Sequence, residues 1–373
     1  MSDLPPTMRA WVYREKGHPS KVVKLETDFK TPQPADLGAD EVLVEVHYTG
    51  FNAVITILIQ SLNPRPFSFF LPRRDRVAVT ELEFAGRLIA AGGNVLASRP
   101  DLKIGELVIG FVDASKAIFT GAGGLAEYAV APAKTVVPYH VPGEEQPKLS
   151  IEEWAGLGGV GCTAIQVIDR AGVKSGDKVL INGGSGGAGA MMVQVTRSVV
   201  GPNGRVVATC SGANVELVKS LGADEVIDYR QCAPLHAYLA ASEHARTPFD
   251  AIIDCVGIQD LFTHSTAYLA PGKTFLNIGG MDIEYSMKGI LKGVWTQLWN
   301  RFCPRIFGGV PRWYRFYSAT PDVESLERLR KLVQNEEVRQ VVDSIWGFED
   351  VPKAYEVMQS KRAKGKIIVR VRN

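Results

Sequence analysis

The sequence predicts an α/β protein in two parts, a β-rich region over about the first 150 residues and a doubly wound parallel sheet beyond it. Three observations carry that prediction. Glu41–Tyr48 reads EVLVEVHY, alternating apolar and polar at period two, as a strand with one wet face does. From Leu149 onward, short continuous aliphatic runs alternate with helix-like segments, the pattern of strands covered on both faces. Between one such run and the next helix lies VLINGGSGGAGAMMVQV, Val179–Val195, where seven small residues separate a strand from a helix.

Taken in order, EVLVEVHY is followed by FAGRLIAAGGNV, GELVIGFV and GLAEYAV, short apolar runs bounded by Gly, Asp and other turn formers. Close spacing of such runs suits a compact barrel or sandwich. Ser150 followed by Glu153 is a capping-box signature and predicts a helix start. KVLIN, GRVVATCS, EVIDY, FDAIIDCVG and KTFLNIGG then read as five strands. AMMVQVTRSVV and NVELVKSLGA are the helices between the first three. ESLERLRKLVQN is an amphipathic helix and KGKIIVRV a closing strand.

Composition narrows the function classes. The chain has 373 residues, 46% of them hydrophobic, which favours two domains over one. Its 42 basic and 40 acidic residues nearly cancel, leaving no whole-molecule case for nucleic-acid binding. There is no long apolar run, and the start MSDLPPTMRAW lacks the basic-then-apolar pattern of a secretory signal; a cytoplasmic protein is the expectation. Five scattered cysteines (Cys162, Cys210, Cys232, Cys255, Cys303) argue against a disulfide framework or a thiolate metal site, and reduced, mostly buried thiols are expected.

The glycine stretch has a specific reading. Gly184, Ser185, Gly186, Gly187, Ala188 and Gly189 satisfy G-x-G-x-x-G between a predicted strand and a predicted helix, the context in which the motif cradles a dinucleotide pyrophosphate. The first glycine permits a tight turn, the second lets backbone approach the anion, and the third lets helix pack on strand. Unpaired N–H groups at the helix start then face the phosphates. At the end of the second strand, Thr209–Asn214 contains no acid to bind a ribose 2′-hydroxyl. Ser211 and Asn214, with Tyr229 and Arg230 after the third strand, suit a 2′-phosphate, so NADPH is the expected cofactor. Val256 and Gly257 after strand four and Gly279 after strand five stand at carboxyl ends of strands, where open α/β sheets bind ligands.

The order of parts resembles the medium-chain dehydrogenase/reductase superfamily, in its zinc-free quinone oxidoreductase and enoyl reductase branch. The likeness rests on MRAWVY, VLVEVHYTGFN, FAGRLIAAGGNV, GGLAEYAV, GCTAIQVI, GDKVLINGGSGGAG, LGADEVIDYR, DAIIDCVG and AKGKIIV, spread over nearly the whole chain. It implies a GroES-like catalytic domain from residues 1–150 and 320–373 and a Rossmann nucleotide-binding domain from 151–319. Zinc-dependent members place a cysteine where this chain has Asn52 and a histidine where it has Leu82, so no metal is expected. Without that Lewis acid, the resemblance implies reduction of an activated C=C or a quinone, whose own conjugation spreads the developing charge. Asn52 matches an asparagine such proteins present to nicotinamide or substrate; otherwise it is a turn residue bonding its own backbone. The family's Asn-Pro-x-Asp is replaced by Asn52-Ala53-Val54-Ile55, which makes the floor more apolar. Tyr48 is the nearest phenol and a candidate proton donor, or a plain barrel tyrosine. Thr163 matches a threonine near the nicotinamide, and Lys366 either reaches the cofactor or is an exposed ion-paired lysine.

Tyr285–Pro321 carries six basic residues and no acid, with Trp295, Trp299, Phe302, Phe307, Trp313 and Tyr314 interleaved; Asn63–Arg76 is a smaller echo. Ile290, Val294 and Leu298 at helical spacing suggest a helix packed as a lid or homodimer contact. A mouth for a bulky apolar substrate and a peripheral membrane contact are the other readings. Two further functions stay open on the residues alone: a redox-neutral cyclase, dehydratase or isomerase, and a non-enzymatic NADPH-binding scaffold attached to a membrane or partner.

Overall fold

A computed structural model describes residues 4–66, 76–141, 143, 145–280 and 286–372. The chain divides into two compact units, Met1–Cys162 with Thr320–Asn373, and Thr163–Ala319. The first boundary falls later than residue 150 because the capping-box helix, Ile151–Ala155, packs on the sheet of the first unit. Its cap is complete: the Ser150 hydroxyl accepts from Glu153 N–H at 3.3 Å, and the Glu153 carboxylate accepts from Ser150 N–H at 2.8 Å.

The first unit is built on a seven-stranded sheet. Val342–Gly347, Lys366–Arg370, Glu41–Gly50, Glu83–Ala91, Leu107–Phe111 and Val136–Pro138 lie in that order, and Tyr128–Pro132 also pairs with Glu41–Gly50. The C-terminal strand thus returns to the N-terminal one, with Ile368 opposite Gly50 and Arg370 opposite Tyr48. A three-stranded sheet, Val23–Lys30, Thr7–Tyr13 and Ala78–Val79, belongs to the same unit. It alters the expected wet face of Glu41–Tyr48. Val42, Val44 and Val46 enter the main core, while Leu43 on the opposite face is also fully buried, against Met8, Val12 and Val79. Burying that side chain contributes about 1.5–3 kcal/mol.

The second unit is a six-stranded parallel sheet in the order Glu225–Asp228, Arg205–Cys210, Lys178–Asn182, Phe249–Asp254, Leu269–Asn277, Trp313–Phe316. Five of these strands are the ones read from the aliphatic runs. The sixth lies inside the basic-aromatic segment. The order reverses at Lys178–Asn182, so the ligand-binding crevice of such a sheet belongs outside the carboxyl ends of that strand and of Phe249–Asp254.

The helix expected around Ile290–Leu298 is present as Met287–Phe302, but its apolar face is not packed. Val294 and Leu298 are about half exposed, and the residues that tie the helix down are polar: Gln297 bonds Tyr314, and Asn300 exchanges two hydrogen bonds with Gln259. Residues 67–75 of the smaller echo, and Tyr285, lie outside the described residues. The five cysteines are unpaired; Cys162 and Cys210 are buried and the other three partly exposed. Burial raises the thiol pKa of Cys162, Cys210 and Cys255, keeping them protonated.

Candidate active site

In the second unit the loop after Lys178–Asn182 enters the helix Gly187–Val200, whose N-cap Gly186 supplies no side-chain cap. The three motif glycines do different jobs. A Cβ on Gly184 would lie 3.1 Å from the Ala208 side chain and 3.2 Å from Val218, and one on Gly189 only 2.0 Å from the Gly183 carbonyl oxygen. Those two are required by packing. A Cβ on Gly186 would make one ordinary contact, with the Gly183 oxygen at 3.8 Å, so packing within the chain does not require a glycine there. Helix N–H groups left without partners in the first turn, beside an unfilled surface, form an anion cradle. The residues therefore fit a dinucleotide pyrophosphate. Asn214 Nδ2 donates to Ser185 Oγ at 3.1 Å and to Ser211 Oγ at 3.3 Å, while its Oδ1 is buried without a partner, an acceptor still to be satisfied.

Beneath the loop runs a buried polar chain. Thr209 Oγ1 accepts from Gly183 N–H at 3.0 Å and donates to Asn182 Oδ1 at 2.6 Å. Asn182 Nδ2 donates to Asp254 Oδ1 at 2.8 Å. The Asp254 carboxylate also accepts from the backbone N–H groups of Val256, Gly257 and Ile258 at 2.8–2.9 Å. Burial raises the Asp254 pKa above the usual carboxylate value, against these bonds. The result is a loop fixed at the carboxyl end of strand four. Gly257 has φ +95°, and a Cβ on Gly279 would lie 2.1 Å from the Val256 backbone, so the ends of strands four and five meet main chain to main chain.

At the far corner Ser211 precedes the short turn Gly212–Asn214 and makes no side-chain capping bond to it. Tyr229 and Arg230 are exposed, with the guanidinium 6.0 Å from the Tyr229 ring. An acid stands nearby that reading strand two alone does not find. Asp228, at the end of strand three, would lie 2.7 Å from a Cβ on Gly212; its oxygens accept from Arg230 N–H at 3.0 Å and Gln231 Nε2 at 3.1 Å. Thr163 is partly buried on the helix Gly158–Ala171.

The first unit holds a charged cluster around Asn52, the residue before the helix Ala53–Ser61. Asn52 Nδ2 donates to Glu83 Oε1 at 3.1 Å and to the Gly50 carbonyl at 3.3 Å, and its Oδ1 accepts from Lys366 Nζ at 3.0 Å. Lys366 Nζ also donates to the Phe51 carbonyl at 2.6 Å and pairs with Glu83. Both partners of that ion pair are buried. Gly159 N–H donates to the second Glu83 oxygen at 2.9 Å. On the other side, Glu81 is fully buried at φ +56°; its carboxylate accepts from Asn52 N–H at 2.9 Å and from the Tyr355 hydroxyl at 2.9 Å. Burial pushes the Glu81 pKa up to about 8 despite those two bonds. Burial, then the Glu81 charge, hold the Tyr355 phenol well above its ordinary pKa.

Lys366 is therefore not an exposed lysine. Its three ammonium N–H groups have three acceptors within the first unit, which leaves none for a cofactor. Tyr48 is half-buried beside Arg370, 5.9 Å from ring centroid to guanidinium, and makes no hydrogen bond to Asn52 or to either carboxylate. Tyr355, Glu81 and Glu83 are the residues of this cluster that the sequence motifs did not single out. A zinc ion does not fit here. Leu82 is buried among apolar side chains, both ends of the Asn52 amide are bonded, and a lysine ammonium already neutralises Glu83. Among the described residues one trio, Glu225, Glu243 and His244, has metal-like spacing, but Arg205 lies 2.7 and 2.8 Å from its two carboxylates.

A β-rich unit completed by the C-terminal strand, a 3-2-1-4-5-6 parallel sheet and a glycine cradle at its switch point define a two-domain nicotinamide-dependent oxidoreductase. The chain belongs to the medium-chain dehydrogenase/reductase superfamily, in its enoyl reductase-like branch, and is a reductase of that family using NAD(P)H. Residues 38–142 match the model of the alcohol dehydrogenase GroES-like domain, and residues 221–369 that of the zinc-binding dehydrogenases. The chain is 44% identical over 380 residues to the trans-enoyl reductase poxH of Penicillium oxalicum, covering 98% of each. It is 34% identical to the medium chain reductase pydE of Acremonium, over 98% of this chain and 99% of that one. The quinone oxidoreductase of Coxiella burnetii superposes with a TM-score of 0.75 at 26% identity, over 98% and 99% of the two chains.

Proposed function

We propose that this protein is a zinc-independent, NADPH-dependent reductase of an activated C=C, an enone or enoyl group, on a bulky apolar substrate. The observation that carries the reading is the pairing of an intact anion cradle at Gly184–Gly189 with a cluster at Asn52 whose donor set does not fit zinc. When bound, the reduced nicotinamide supplies a hydride to the β carbon of the conjugated system, and a proton completes the reaction at the α carbon. Gly186 and the N–H groups of the first helical turn hold the pyrophosphate, and Ser185 and Asn214 flank it. Ser211, Tyr229 and Arg230 take the 2′-phosphate; the two hydrogen bonds on Asp228 temper the one negative charge at that corner.

In the first unit, Glu81, Glu83 and Lys366 act as positioning residues that fix Asn52 from both sides. Tyr48 is assigned to proton return, because Tyr355 is fully buried and its phenol strongly resists ionisation. Val54, 53% exposed beside Asn52, presents an apolar surface suited to an apolar substrate. The reading extends to a cytoplasmic location; among the described residues no helix is long and apolar enough to cross a membrane. The test is purified protein with NADPH or NADH and a panel of enones, enoyl thioesters and quinones. Cofactor oxidation with a product carrying two more hydrogens than the substrate is expected. Product formed without cofactor oxidation, or no turnover with any acceptor, overturns it.

A further inference from the structure

The helix Met287–Phe302 is amphipathic in the reverse of the usual sense. Thr296, Gln297 and Asn300 lie on its partly buried side, where Gln297 and Asn300 bond Tyr314 and Gln259. Leu291, Val294, Trp295, Leu298, Trp299 and Phe302 recur three to four residues apart and are 48–70% exposed. The exposure continues beyond the helix through Ile306 at 85%, Phe307 at 68% and Trp313 at 57%. Isolated exposed apolar residues are ordinary, but a contiguous stripe of this kind marks an interaction surface.

The charges around the stripe select its partner. Lys288, Lys292, Arg301, Arg305 and Arg315 are all exposed, and no Asp or Glu occurs from Ser286 to Ala319. Beside the helix C-terminus a groove of about 520 Å³ is lined by Arg170, Arg301 and Arg315 together with Leu298, Phe302 and Phe316. None of these three guanidiniums has a carboxylate partner among the described residues. Arg170 lies 4.0 Å over the Tyr317 ring, and Arg301 donates to the Tyr314 carbonyl at 3.2 Å, so two of them are held in place. A groove with fixed cations and apolar walls matches a phosphodiester headgroup joined to acyl chains. A second copy meeting this face through a two-fold axis would set basic residues against basic residues with no acid between them.

We propose that the outer face of Met287–Phe302 and its arginine groove form a docking surface for an anionic phospholipid membrane. The apolar stripe lies in the plane of the interface, Trp295 and Trp299 sit at headgroup level, and Arg170, Arg301 and Arg315 meet lipid phosphates. At about 1.5 Å rise per residue the helix would rest along the surface rather than cross it.

The test is sedimentation of the full chain with phosphatidylcholine vesicles, with and without phosphatidylglycerol, read together with tryptophan emission. Cosedimentation and a blue shift are expected with the anionic vesicles alone, falling steeply as salt is raised. The double variant Trp295→Ser/Phe302→Ser, and separately Arg315→Glu, should each lower the partition coefficient at least tenfold. All three positions are exposed and leave the reduction of a water-soluble enone unchanged. Equal binding to neutral vesicles, or binding retained in both variants, overturns the proposal. So does a dimer in sedimentation velocity that the double variant dissociates while wild type ignores vesicles, which would assign the stripe to a second copy.

Discussion

The two units use charge in opposite ways. In the second, the surface at Gly184–Gly189 is main chain: glycines, helix N–H groups, and beneath them an aspartate, Asp254, whose hydrogen bonds are spent on holding the loops still. In the first, full side-chain charges are taken out of water. Lys366 and Glu83 form a buried pair, and Glu81 sits beside them with a pKa near 8. Main-chain cradles bind by what they leave open, and small side-chain changes there trade directly against the ligand. A buried ion pair acts by fixing its neighbours, and its failure spreads through the fold.

The largest expected effect breaks that second device. Lys366→Met strands Glu83 without its cation in a buried site, at a cost of about 3–5 kcal/mol. Urea denaturation of the purified variant measures it. Adding Glu83→Gln should recover part of the loss, because the stranded charge is removed; a double-mutant coupling near zero would show that the two side chains act independently.

The glycines sharpen the contrast. Gly189→Ala places a methyl group 2.0 Å from the Gly183 carbonyl oxygen and should destabilise on the order of 3 kcal/mol, since backbone has to move. Gly186→Val puts its Cβ at an ordinary 3.8 Å from the Gly183 oxygen and should keep its melting temperature while weakening NADPH binding by about tenfold or more. Calorimetry with the nucleotide and a thermal melt separate the two outcomes. If both variants lose stability equally, Gly186 serves packing rather than the cofactor.

The same contrast explains what could be read from the chain. The frame of the cradle is local: strand, turn and helix lie within Lys178–Val200. The strands of the parallel sheet were legible because they are continuous aliphatic runs. Trp313–Phe316 was not, because four residues of mixed aromatic and basic character carry no strand period, and only pairing with Leu269–Asn277 makes them a strand. The Asn52 cluster joins positions 274 and 283 apart in sequence, Glu81 with Tyr355 and Glu83 with Lys366. Leu82 showed that a histidine ligand was missing, but not that the carboxylates on either side of it, Glu81 and Glu83, grip Asn52 from opposite sides. The fully buried Leu43 shows a similar limit, since period two cannot tell a wet face from one covered by another sheet.

Glu81 gives the third effect, a pH dependence. Its folded pKa of about 8 is above the ordinary 4.5, so the folded state holds the proton more tightly than the unfolded chain. The stability this contributes is fully present below pH 4.5 and is lost as pH rises through about 8. Wild type should therefore lose stability between pH 5 and 8 relative to Glu81→Gln, by on the order of 4 kcal/mol at most. The slope is the readout, because the substitution also changes the bonds to Asn52 and Tyr355. Parallel curves for the two proteins would place the Glu81 pKa near its usual value.

The smallest effect concerns which dinucleotide the second unit prefers. Arg230 is exposed, so its attraction for a 2′-phosphate is screened by water and salt and contributes about 1 kcal/mol. Arg230→Ala should lower kcat/KM for NADPH roughly fivefold and leave that for NADH nearly unchanged. Asp228→Asn should move the ratio the other way, because the position then loses its charge while keeping a side chain able to accept from Arg230 N–H. Raising the salt concentration should shrink the Arg230 effect. Should both substitutions leave the NADPH to NADH ratio where it was, the preference would rest on a neutral donor, the Ser211 hydroxyl, which salt does not touch.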